Sequence, residues 1–330
     1  MINRAHSEGT IRFRNNGLGL LVPGQGSGEK GMAQEAYENS DRARRVFEVG
    51  SKITKIDLVA VCFGDLSQEL GKTEVAQPVL SAAYLADFIY LQELGIQFDA
   101  GEGHSMGEIP LLAMAEVITV EGMFKLIKAR GAATAKANSN RPGMMARAQG
   151  MNIEQLEKEL AELLKTGRLY ITNFNTKLQH MLSGDEDLIM LAKKHISDRA
   201  RLVADLKDAR ISRSRIAGAF HSPYHMVPAK RRFKKVANSL EYGAPRFDIM
   251  LNNGLYLDEL GVDNLSDYLT GQLIGKVLFS KGTERLINDG VTNFIQVGPR
   301  PVLSDLVLED FDGMVKIIKV ISAMPEKQES

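Results

Sequence analysis

The stretch Gly103-His104-Ser105-Met106-Gly107 decides the fold of this chain, because a G-x-S-x-G pentapeptide bends a strand sharply into a helix. Glycine on each side of the serine avoids the Cβ clashes that such a bend would otherwise cause. The apolar run Val79–Leu94 lies before it and the Ala/Leu/Met-rich segment Ile109–Val117 follows it. The context predicts strand, turn and helix, with the serine hydroxyl lifted clear of the backbone and helical N–H groups aimed at a developing oxyanion. A Gly-rich loop without chemistry is the alternative interpretation.

A nucleophilic serine needs a base, because a free hydroxyl is a poor nucleophile at neutral pH. The chain has six histidines. His104 is adjacent to the serine, so its side chain should point elsewhere, and we interpret it as structural. His221 lies in the small, apolar, Pro-bounded segment Gly218–Pro223, which is typical of an ordered loop beside a core. It is the candidate base, although a lone histidine in such a loop is often structural.

Arg130 is a candidate for binding an anion. Thr119 and Glu121 predict the start of a helix that runs to about Ala137. At about 100° per residue, Arg130 falls within the apolar arc of this helix. A charge facing the core needs an anionic partner, and a guanidinium matches a carboxylate through two parallel hydrogen bonds. An internal ion pair or a side chain that extends to solvent are the alternatives.

The amino-acid composition excludes several classes of partner and site. The 41 basic and 41 acidic residues cancel, so no net field attracts the chain to nucleic acid or membrane. The single cysteine, Cys62, has apolar neighbours, which indicates a core residue in a reducing compartment and predicts a cytoplasmic protein. No Cys/His cluster has the spacing of a zinc site, so we expect no metal. The first sixteen residues carry scattered charges and no apolar run, so we expect neither a signal peptide nor an anchor in them, and no run in the sequence approaches about 20 apolar residues.

The predicted fold class is α/β, with a large α/β-hydrolase-like domain built on a parallel sheet and an inserted ferredoxin-like α+β subdomain. Residues 1–16 form an N-terminal extension, residues 17–138 and 215–330 form the large domain, and residues 139–214 form the subdomain. The large domain begins with a strand at Gly17–Val22 and includes a late strand at Thr292–Val297. The subdomain elements are predicted in the order strand Met144–Gln149, helix Ile153–Lys165, strands Leu169–Asn173 and His180–Ser183, helix Asp185–His195 and strand Arg201–Leu206.

Short motifs occur along the chain in one order. They are Val22-Pro23-Gly24-Gln25-Gly26-Ser27 with Gly31-Met32, Thr73 with Gln77-Pro78, Gly103-His104-Ser105-Met106-Gly107-Glu108, Lys128-Ala129-Arg130-Gly131, Asn173-x-Asn175 with Gln179 and Ser183-Gly184, Ala219-Phe220-His221-Ser222-Pro223, and Val297-Gly298-Pro299. In this order they resemble the malonyl-CoA:acyl-carrier-protein transacylase family and the related acyltransferase domains of polyketide synthases.

The resemblance implies a catalytic pair of Ser105 and His221, with His221 oriented by Gln272. It also implies that the backbone N–H groups of Gln25 and Met106 form the oxyanion hole. A Gly-rich loop such as the one around Gln25 lets backbone amides approach a ligand closely, which agrees with that role.

In the same family an arginine at the position of Arg130 binds the free carboxylate of a malonyl group. Phe220, His104 and Asn175 would line the acyl pocket, and Phe220 resembles the version of its motif that is associated with malonyl rather than bulkier units. The resemblance implies no cofactor, with a coenzyme A thioester as substrate.

The chain departs from the family pattern at a few positions. Met106 replaces the commoner leucine, Gln296 and Arg300 replace glutamate and glycine, and Phe279 replaces tryptophan. His225 is a one-residue insertion after the histidine motif. These changes leave the implied catalytic set intact but bear on the choice of donor and acceptor.

Basic residues are concentrated on both sides of the histidine motif. They are Lys207, Arg210, Arg213, Arg215, Lys230, Arg231, Arg232, Lys234 and Lys235. We predict that the basic rim, defined as Lys207, Arg210, Arg213, Arg215, Arg231 and Arg232, docks an acidic acyl carrier protein or binds the phosphates of coenzyme A. An ordinary solvated surface is the alternative interpretation.

The resemblance therefore implies an acyltransferase that moves a malonyl group from coenzyme A to the phosphopantetheine thiol of an acyl carrier protein through an acyl-serine. Fatty-acid and polyketide synthesis stay equally open, as do malonyl and a slightly larger dicarboxylic unit. A thioester hydrolase acting on carrier proteins and a non-catalytic carrier-binding module are the alternatives from other classes.

Overall fold

Two β-sheets organise the chain. The structure is a computed structural model that describes residues 12, 13 and 16–318, apart from the side chain of Arg215. Most of the predicted extension of residues 1–16 lies outside the described residues. The strands, in chain order, are β1 (Gly17–Val22), β2 (Ala100–Gly103), β3 (Met144–Gln149), β4 (Leu169–Thr176), β5 (Gln179–Gly184), β6 (Arg210–Ala217), β7 (Asp248–Met250), β8 (Val291–Gln296) and β9 (Lys316–Ile317).

The helices lie between these strands. They are α1 (Gln34–Asn39), α2 (Asp41–Thr54), α3 (Leu58–Cys62), α4 (Thr73–Glu93), α5 (Glu108–Met114), α6 (Val120–Asn140), α7 (Ile153–Glu159), α8 (Ala161–Leu164), α9 (Glu186–Leu202), α10 (Pro223–Ala237), α11 (Leu257–Leu260), α12 (Leu265–Gln272), α13 (Phe279–Asn288) and α14 (Val302–Phe311). Single 3₁₀ turns span Ser67–Gly71, Ser105–Gly107, Ala204–Leu206 and Val262–Asn264.

The first sheet is parallel, with strand order β7-β2-β1-β8-β9. Its central strand β1 has the bounds predicted from the sequence, and Leu20, Leu21 and Val22 are fully buried. A run of consecutive buried apolar residues is typical of a parallel strand that is covered on both faces. The α/β class with a parallel sheet is therefore confirmed.

Helix α6 carries Arg130 towards the centre of the protein. Thr119 caps its start, because the threonine side chain accepts a hydrogen bond from the N–H of Gly122. The helix ends at Asn140, three residues beyond the predicted end. The predicted apolar arc is buried against α4 and α10, and Arg130 is buried with it.

The second sheet is antiparallel, with strand order β4-β5-β3-β6 and its own apolar cluster under α7 and α9. Counted within the unit, the strands lie in the order 2-3-1-4, which is the ferredoxin-like arrangement that the βαββαβ pattern predicts. The sheet runs from Met144 to Ala217. The division of the chain into domains at residues 139 and 214 stays a prediction.

The predicted fourth strand of this sheet, Arg201–Leu206, is wrong. Arg201 and Leu202 continue α9, the 3₁₀ turn Ala204–Leu206 follows, and the strand is β6. The buried residues of α9 recur at helical spacing as far as Ile196, and Leu202 is 80% exposed, so the apolar residues of this stretch do not form the buried face of a strand. The predicted helix Ile153–Lys165 is also interrupted, since α7 and α8 meet at the buried Leu160.

Cys62 is a core residue, as predicted. It is fully buried in α3, and its thiol donates a hydrogen bond to the carbonyl of Met32 (3.2 Å). Burial raises the pKa of the thiol far above its ordinary value. Among residues 12, 13 and 16–318, no helix combines the length and the apolar character that crossing a membrane requires.

Candidate active site

The nucleophile turn forms where β2 ends. Residues 105–107 make a single 3₁₀ turn and α5 begins at Glu108. Ser105 has a left-handed backbone, with φ of 55°. A Cβ on Gly107 would lie 2.2 Å from the carbonyl oxygen of Val22, and a Cβ on Gly103 would lie 2.5 Å from the N–H of Glu108. Only glycine fits at these two positions, so the sharp turn depends on both.

The structure brings His221 to Ser105 across 116 residues of sequence. Its Nε2 lies 2.6 Å from the Ser105 Oγ. Its Nδ1 faces two carbonyl oxygens, those of Gln272 (3.0 Å) and Gly275 (3.1 Å). Since a carbonyl can only accept, Nδ1 carries the proton and Nε2 presents its lone pair to the serine hydroxyl. Gln272 thus contacts His221 through its backbone rather than its side chain.

The imidazole of His221 is held neutral. Burial, with smaller contributions from the positive charge of Arg130 and from His104, lowers the pKa of His221 to about 3. A neutral imidazole can accept the serine proton at physiological pH, which is what a general base requires.

Arg130 lies beside the same hydroxyl. Its Nη2 is 3.2 Å from the Ser105 Oγ and 3.4 Å from Oε1 of Gln272, and the Arg130 side chain is buried. Burial lowers the pKa of Arg130 to about 10, so the guanidinium stays charged. Its Nε has no hydrogen-bond partner, and within the described part of the chain no carboxylate lies within 4 Å of it. An unpaired buried guanidinium next to the nucleophile is suited to binding an anion.

Asn252 holds the backbone of the turn, and sequence reasoning missed it. Its Oδ1 accepts from the N–H of Ser105 (2.7 Å), while its Nδ2 donates to the carbonyl of Gly103 (2.5 Å). In the parallel ladder, Met250 of β7 is opposite Glu102 of β2, so Asn252 follows where the ladder stops. Its side-chain carboxamide makes the two hydrogen bonds that a backbone peptide group would make if the ladder between β7 and β2 continued. No spacing signal in the sequence marks this asparagine.

The buried carboxylate of Glu108 accepts hydrogen bonds from three residues around the nucleophile turn. Its Oε1 accepts from the backbone N–H of Asn252 and from the hydroxyl of Tyr268, both at 2.6 Å, and its Oε2 accepts from Nε2 of Gln272 (2.5 Å). The same Nε2 also donates to the carbonyl of Ser105 (2.6 Å). Burial raises the pKa of Glu108 to about 7. Tyr268 was likewise missed, because contacts 160 residues apart leave no local pattern.

Of the two predicted oxyanion donors, Met106 lies in the turn and Gln25 lies in the adjacent Gly-rich loop. The side chain of Gln25 is held by Thr73 (3.1 Å) and Gln77 (3.2 Å), which fixes the Gly-rich loop. This loop abuts the turn, because a Cβ on Gly24 would lie 3.0 Å from the carbonyl oxygen of His104. In the described structure, no hydrogen bond occupies the backbone N–H of Gln25 or of Met106. Both amides are therefore available to a ligand oxygen.

His104 contacts one of the other two residues predicted to line the acyl pocket. Its Nε2 lies 3.0 Å from Oδ1 of Asn175, and its ring meets Phe279 edge-on at 5.7 Å. Phe220, the residue before the base, is 7% exposed. The substitution of phenylalanine for tryptophan at residue 279 therefore lies next to the pocket.

Gln296 and Arg300 have structural contacts rather than positions in the site. Oε1 of Gln296 accepts from the backbone N–H groups of Leu303 (2.7 Å) and Ser304 (3.0 Å), so it caps the start of α14. Arg300 pairs with Glu29. The contacts that these two residues make do not involve Ser105.

The basic rim lies on and before β6 and along α10. Lys207, Arg210, Arg213, Arg231 and Arg232 are exposed. Only Arg213 among them has a carboxylate within 4 Å, that of Glu186 at 3.7 Å. Arg215 lies in β6, and its side chain is outside the described part of the structure. Within the described ranges, no group of three or more His, Cys, Asp or Glu residues can hold a metal ion.

The sequence of this chain is similar to a known domain family and to known proteins. The acyl transferase domain family matches residues 20–329. The malonyl CoA-acyl carrier protein transacylase of Staphylococcus aureus strain MRSA252 is 30% identical over 290 residues, which is 87% of this chain and 90% of the relative.

Solved structures give the same result. The malonyl CoA-acyl carrier protein transacylase of Clostridium perfringens superposes with a TM-score of 0.83 at 28% identity, covering 92% of this chain and 93% of the other. A malonyl-transacylase in complex with a type II polyketide synthase acyl-carrier protein superposes with a TM-score of 0.82 at 25% identity, covering 92% and 96%.

Proposed function

Because this chain belongs to the acyl transferase domain family, we propose that it moves a malonyl group from coenzyme A to the phosphopantetheine thiol of an acyl carrier protein. One observation carries the proposal: the Ser105 Oγ lies 2.6 Å from a neutral imidazole nitrogen and 3.2 Å from a buried guanidinium. The first contact supplies a nucleophile, and the second supplies a partner for an acyl group that ends in a carboxylate.

In the first half-reaction His221 takes the proton from Ser105 as the oxygen attacks the thioester carbonyl. The carbonyl oxygen becomes negative and accepts hydrogen bonds from the N–H groups of Gln25 and Met106, which is worth several kcal/mol in such sites, about 3 for a single donor. As the C–S bond breaks, His221 returns the proton to the sulfur, so coenzyme A leaves as the thiol and an acyl-serine ester remains.

In the second half-reaction the carrier-protein thiol gives its proton to His221 and attacks the ester. When the tetrahedral intermediate collapses, the proton passes from His221 to the Ser105 oxygen and the acyl group leaves on the carrier. Base and acid roles thus alternate on one nitrogen. The two carbonyls that face Nδ1 keep the ring in the tautomer that this alternation needs.

Arg130 provides selectivity for a dicarboxylic acyl group. A malonyl carboxylate that pairs with its guanidinium would neutralise a buried charge that, among the described residues, has no carboxylate within 4 Å. Holding the acyl chain at its far end also fixes the ester relative to the approach of water. This favours transfer to a thiol over hydrolysis.

The carrier protein is proposed to dock on the basic rim, supported by five exposed cations on the chain segments before and after the His221 loop (residues 218–222). The complex of a related malonyl-transacylase with its acyl-carrier protein supports a protein acceptor. A cytoplasmic location and the absence of a cofactor also stay proposals, the first supported by the unpaired, buried Cys62.

The test is intact-mass measurement after brief mixing with malonyl-CoA, acetyl-CoA and a larger dicarboxylic acyl-CoA, each with and without phosphopantetheinylated carrier protein. We expect the malonyl adduct on the wild-type protein, its loss in Ser105→Ala, and transfer of the adduct to the carrier. Rapid release of free malonate without carrier would instead identify a hydrolase. A wild-type protein that is folded but gains no adduct from any thioester would support the non-catalytic binding module.

A further inference from the structure

The loop that carries His221 is tied to the end of strand β5 on both sides of the histidine. Before it, the Ser183 hydroxyl donates to the carbonyl of Phe220 (2.6 Å). After it, the Ser222 Oγ lies 2.8 Å from Nδ1 of His225. Nε2 of His225 lies 2.9 Å from Oδ1 of Asp185. Ser183 and Asp185 flank the last residue of β5, so a single strand end contacts the loop at two points.

The direction of each hydrogen bond in the second contact follows from chemistry. The Asp185 carboxylate can only accept, so Nε2 of His225 carries the proton and Nδ1 accepts from the Ser222 hydroxyl. Ser222 and His225 are fully buried, whereas the Asp185 side chain is 18% exposed. Buried polar groups are hydrogen-bonded in this way because leaving one unpaired costs about 1–3 kcal/mol.

Two of these residues forgo an ordinary structural role. Ser222 is the N-cap residue of α10 and Asp185 is the N-cap residue of α9, yet neither side chain caps its helix. Serine and aspartate at such positions usually accept from the helix N–H groups. Here their side chains contact each other through the imidazole of His225 instead.

The backbone at Gly143 packs closely against His225, and a side chain at residue 143 would not fit there. A Cβ on Gly143, in the connection from α6 to β3, would lie 2.9 Å from Nε2 of His225 and 2.7 Å from the carbonyl oxygen of Gly184. The start of β3, the end of β5 and the His221 loop therefore meet at one point. His225 is also the residue that the sequence predicts to be an insertion after the histidine motif.

We propose that Asp185 and His225 are positioning residues that, together with Ser183, brace the His221 loop against the antiparallel sheet and keep the catalytic base within reach of Ser105. His221 has φ of 61°, a conformation that a non-glycine residue keeps only when its surroundings enforce it. The brace supplies that enforcement from the sheet that does not carry the nucleophile. The inference rests on the proposed function only in taking His221 as the base.

The experiment measures the rate at which a fluorophosphonate probe labels Ser105. This rate depends on the Ser105–His221 pair and not on the acyl group, so the brace is tested even if malonyl transfer fails. Asp185→Ala removes the acceptor, and Asp185→Asn keeps an acceptor oxygen and serves as the rescue. Arg168→Ala is the matched control, because Arg168 pairs with the other carboxylate oxygen of Asp185 (2.8 Å), the one that does not face His225.

We expect Asp185→Ala to label about 10- to 100-fold more slowly than wild type, since small misplacements of a catalytic group have effects of that size. Asp185→Asn and Arg168→Ala should stay within about threefold of wild type, a margin small against that expected loss. In malonyl transfer the same loss should be in kcat, with KM for malonyl-CoA unchanged.

His225→Ala and the double variant complete the test. If the brace is one unit, Asp185→Ala with His225→Ala should label no more slowly than the slower single variant. Wild-type labelling in a folded Asp185→Ala protein would overturn the proposal, as would a loss in Arg168→Ala equal to that in Asp185→Ala. Should His225→Ala not fold, Asp185→Ala and Ser183→Ala decide alone, because Asp185 is partly exposed and Ser183 loses only a hydroxyl.

Discussion

Ser105 and His221 both adopt left-handed backbone conformations, with φ of 55° and 61°. Such conformations cost about 1–3 kcal/mol each for a non-glycine residue and persist only where neighbours enforce them. Asn252 enforces the first by bonding to the backbone on both sides of His104. The reactivity of the serine therefore depends on a residue that never touches the substrate.

Replacing Asn252 by alanine should slow the acylation of Ser105 by about 10- to 100-fold, because the oxygen loses its fixed position. Unfolding should become easier by about 1–3 kcal/mol, since two buried backbone groups lose their partner. Labelling rates and thermal denaturation measure the two effects. Asn253→Ala is the control, because its side chain bonds only to the N–H of Leu255 (3.1 Å). Equal rates for the two variants would contradict the assigned role.

Replacing Arg130 by alanine should lower malonyl loading by about 100-fold or more, the size expected when a charged, desolvated contact is lost. Acetyl loading should be unchanged or faster, so the preference between the two thioesters reverses. Competition between malonyl-CoA and acetyl-CoA, read by intact mass, measures this directly. Lys128→Ala, an exposed change on the same helix, is the control. Undiminished malonyl loading would show that Arg130 does not bind the carboxylate.

At the scale of single elements, the proposed docking surface for the carrier protein is formed by β6 and α10. The strand presents Arg210 and Arg213, the helix presents Arg231 and Arg232, and the His221 loop connects the two elements. Opposite charges on a partner would be attracted over about 30 Å at 0.01 M salt and over only about 3 Å at 1 M salt.

Charge reversal at Arg213 and Arg231 should therefore raise KM for the carrier protein by about tenfold, while kcat changes little. Raising the salt concentration should have the same effect on the wild-type protein and less on the reversed variant. Lys52→Glu, an exposed change on α2, is the control for altered net charge. A salt-independent KM would mean that the carrier docks elsewhere.

The elements also show how far sequence reasoning extends. Strands β1 and β3 and the start of α6 lie where predicted, because local signals such as apolar runs and the Thr119 cap determine them. The fourth strand of the antiparallel sheet was misplaced, since apolar residues at the end of a helix mimic a short strand. Ser105, His221 and Arg130 were found by motif and periodicity.

The supporting residues had no such signal. Asn252 contacts Ser105 across 147 residues, and Asp185 contacts His225 across 40. Such pairs are created by strand order and by where the strands end. Sequence reasoning also could not predict that His221 bonds to the backbone carbonyl of Gln272 rather than to its side chain. Every residue has such a carbonyl, so no residue type marks the position.

For the molecule as a whole, Glu102 in the centre of the parallel sheet links stability to pH. It is fully buried, its Oε2 accepts from the hydroxyl of Thr283 (2.8 Å), and its Oε1 has no partner among the described residues. Burial raises its pKa well above the ordinary value. The unfolded chain releases this proton above about pH 4.3, whereas the folded protein retains it, so the free energy of unfolding falls as pH rises.

Replacing Glu102 by glutamine should remove this fall, because an amide has no proton to release. The wild-type curve should descend relative to the variant by up to about 1.4 kcal/mol per pH unit upward from the ordinary carboxyl pKa. Denaturant unfolding at several pH values measures the difference between the two curves. Glu48→Gln, an exposed change, is the control. Parallel curves would mean that Glu102 is ionised in the folded protein.

The buried thiol of Cys62 has a practical consequence. It is the chain's single cysteine, and its thiol is enclosed and kept protonated. Maleimide reagents react with the thiolate, so the native protein should resist conjugation. A cysteine engineered into the exposed surface would then be the one position that accepts a dye. Fluorescence energy transfer from such a dye could follow the approach and departure of a labelled partner in real time, with no native cysteine removed.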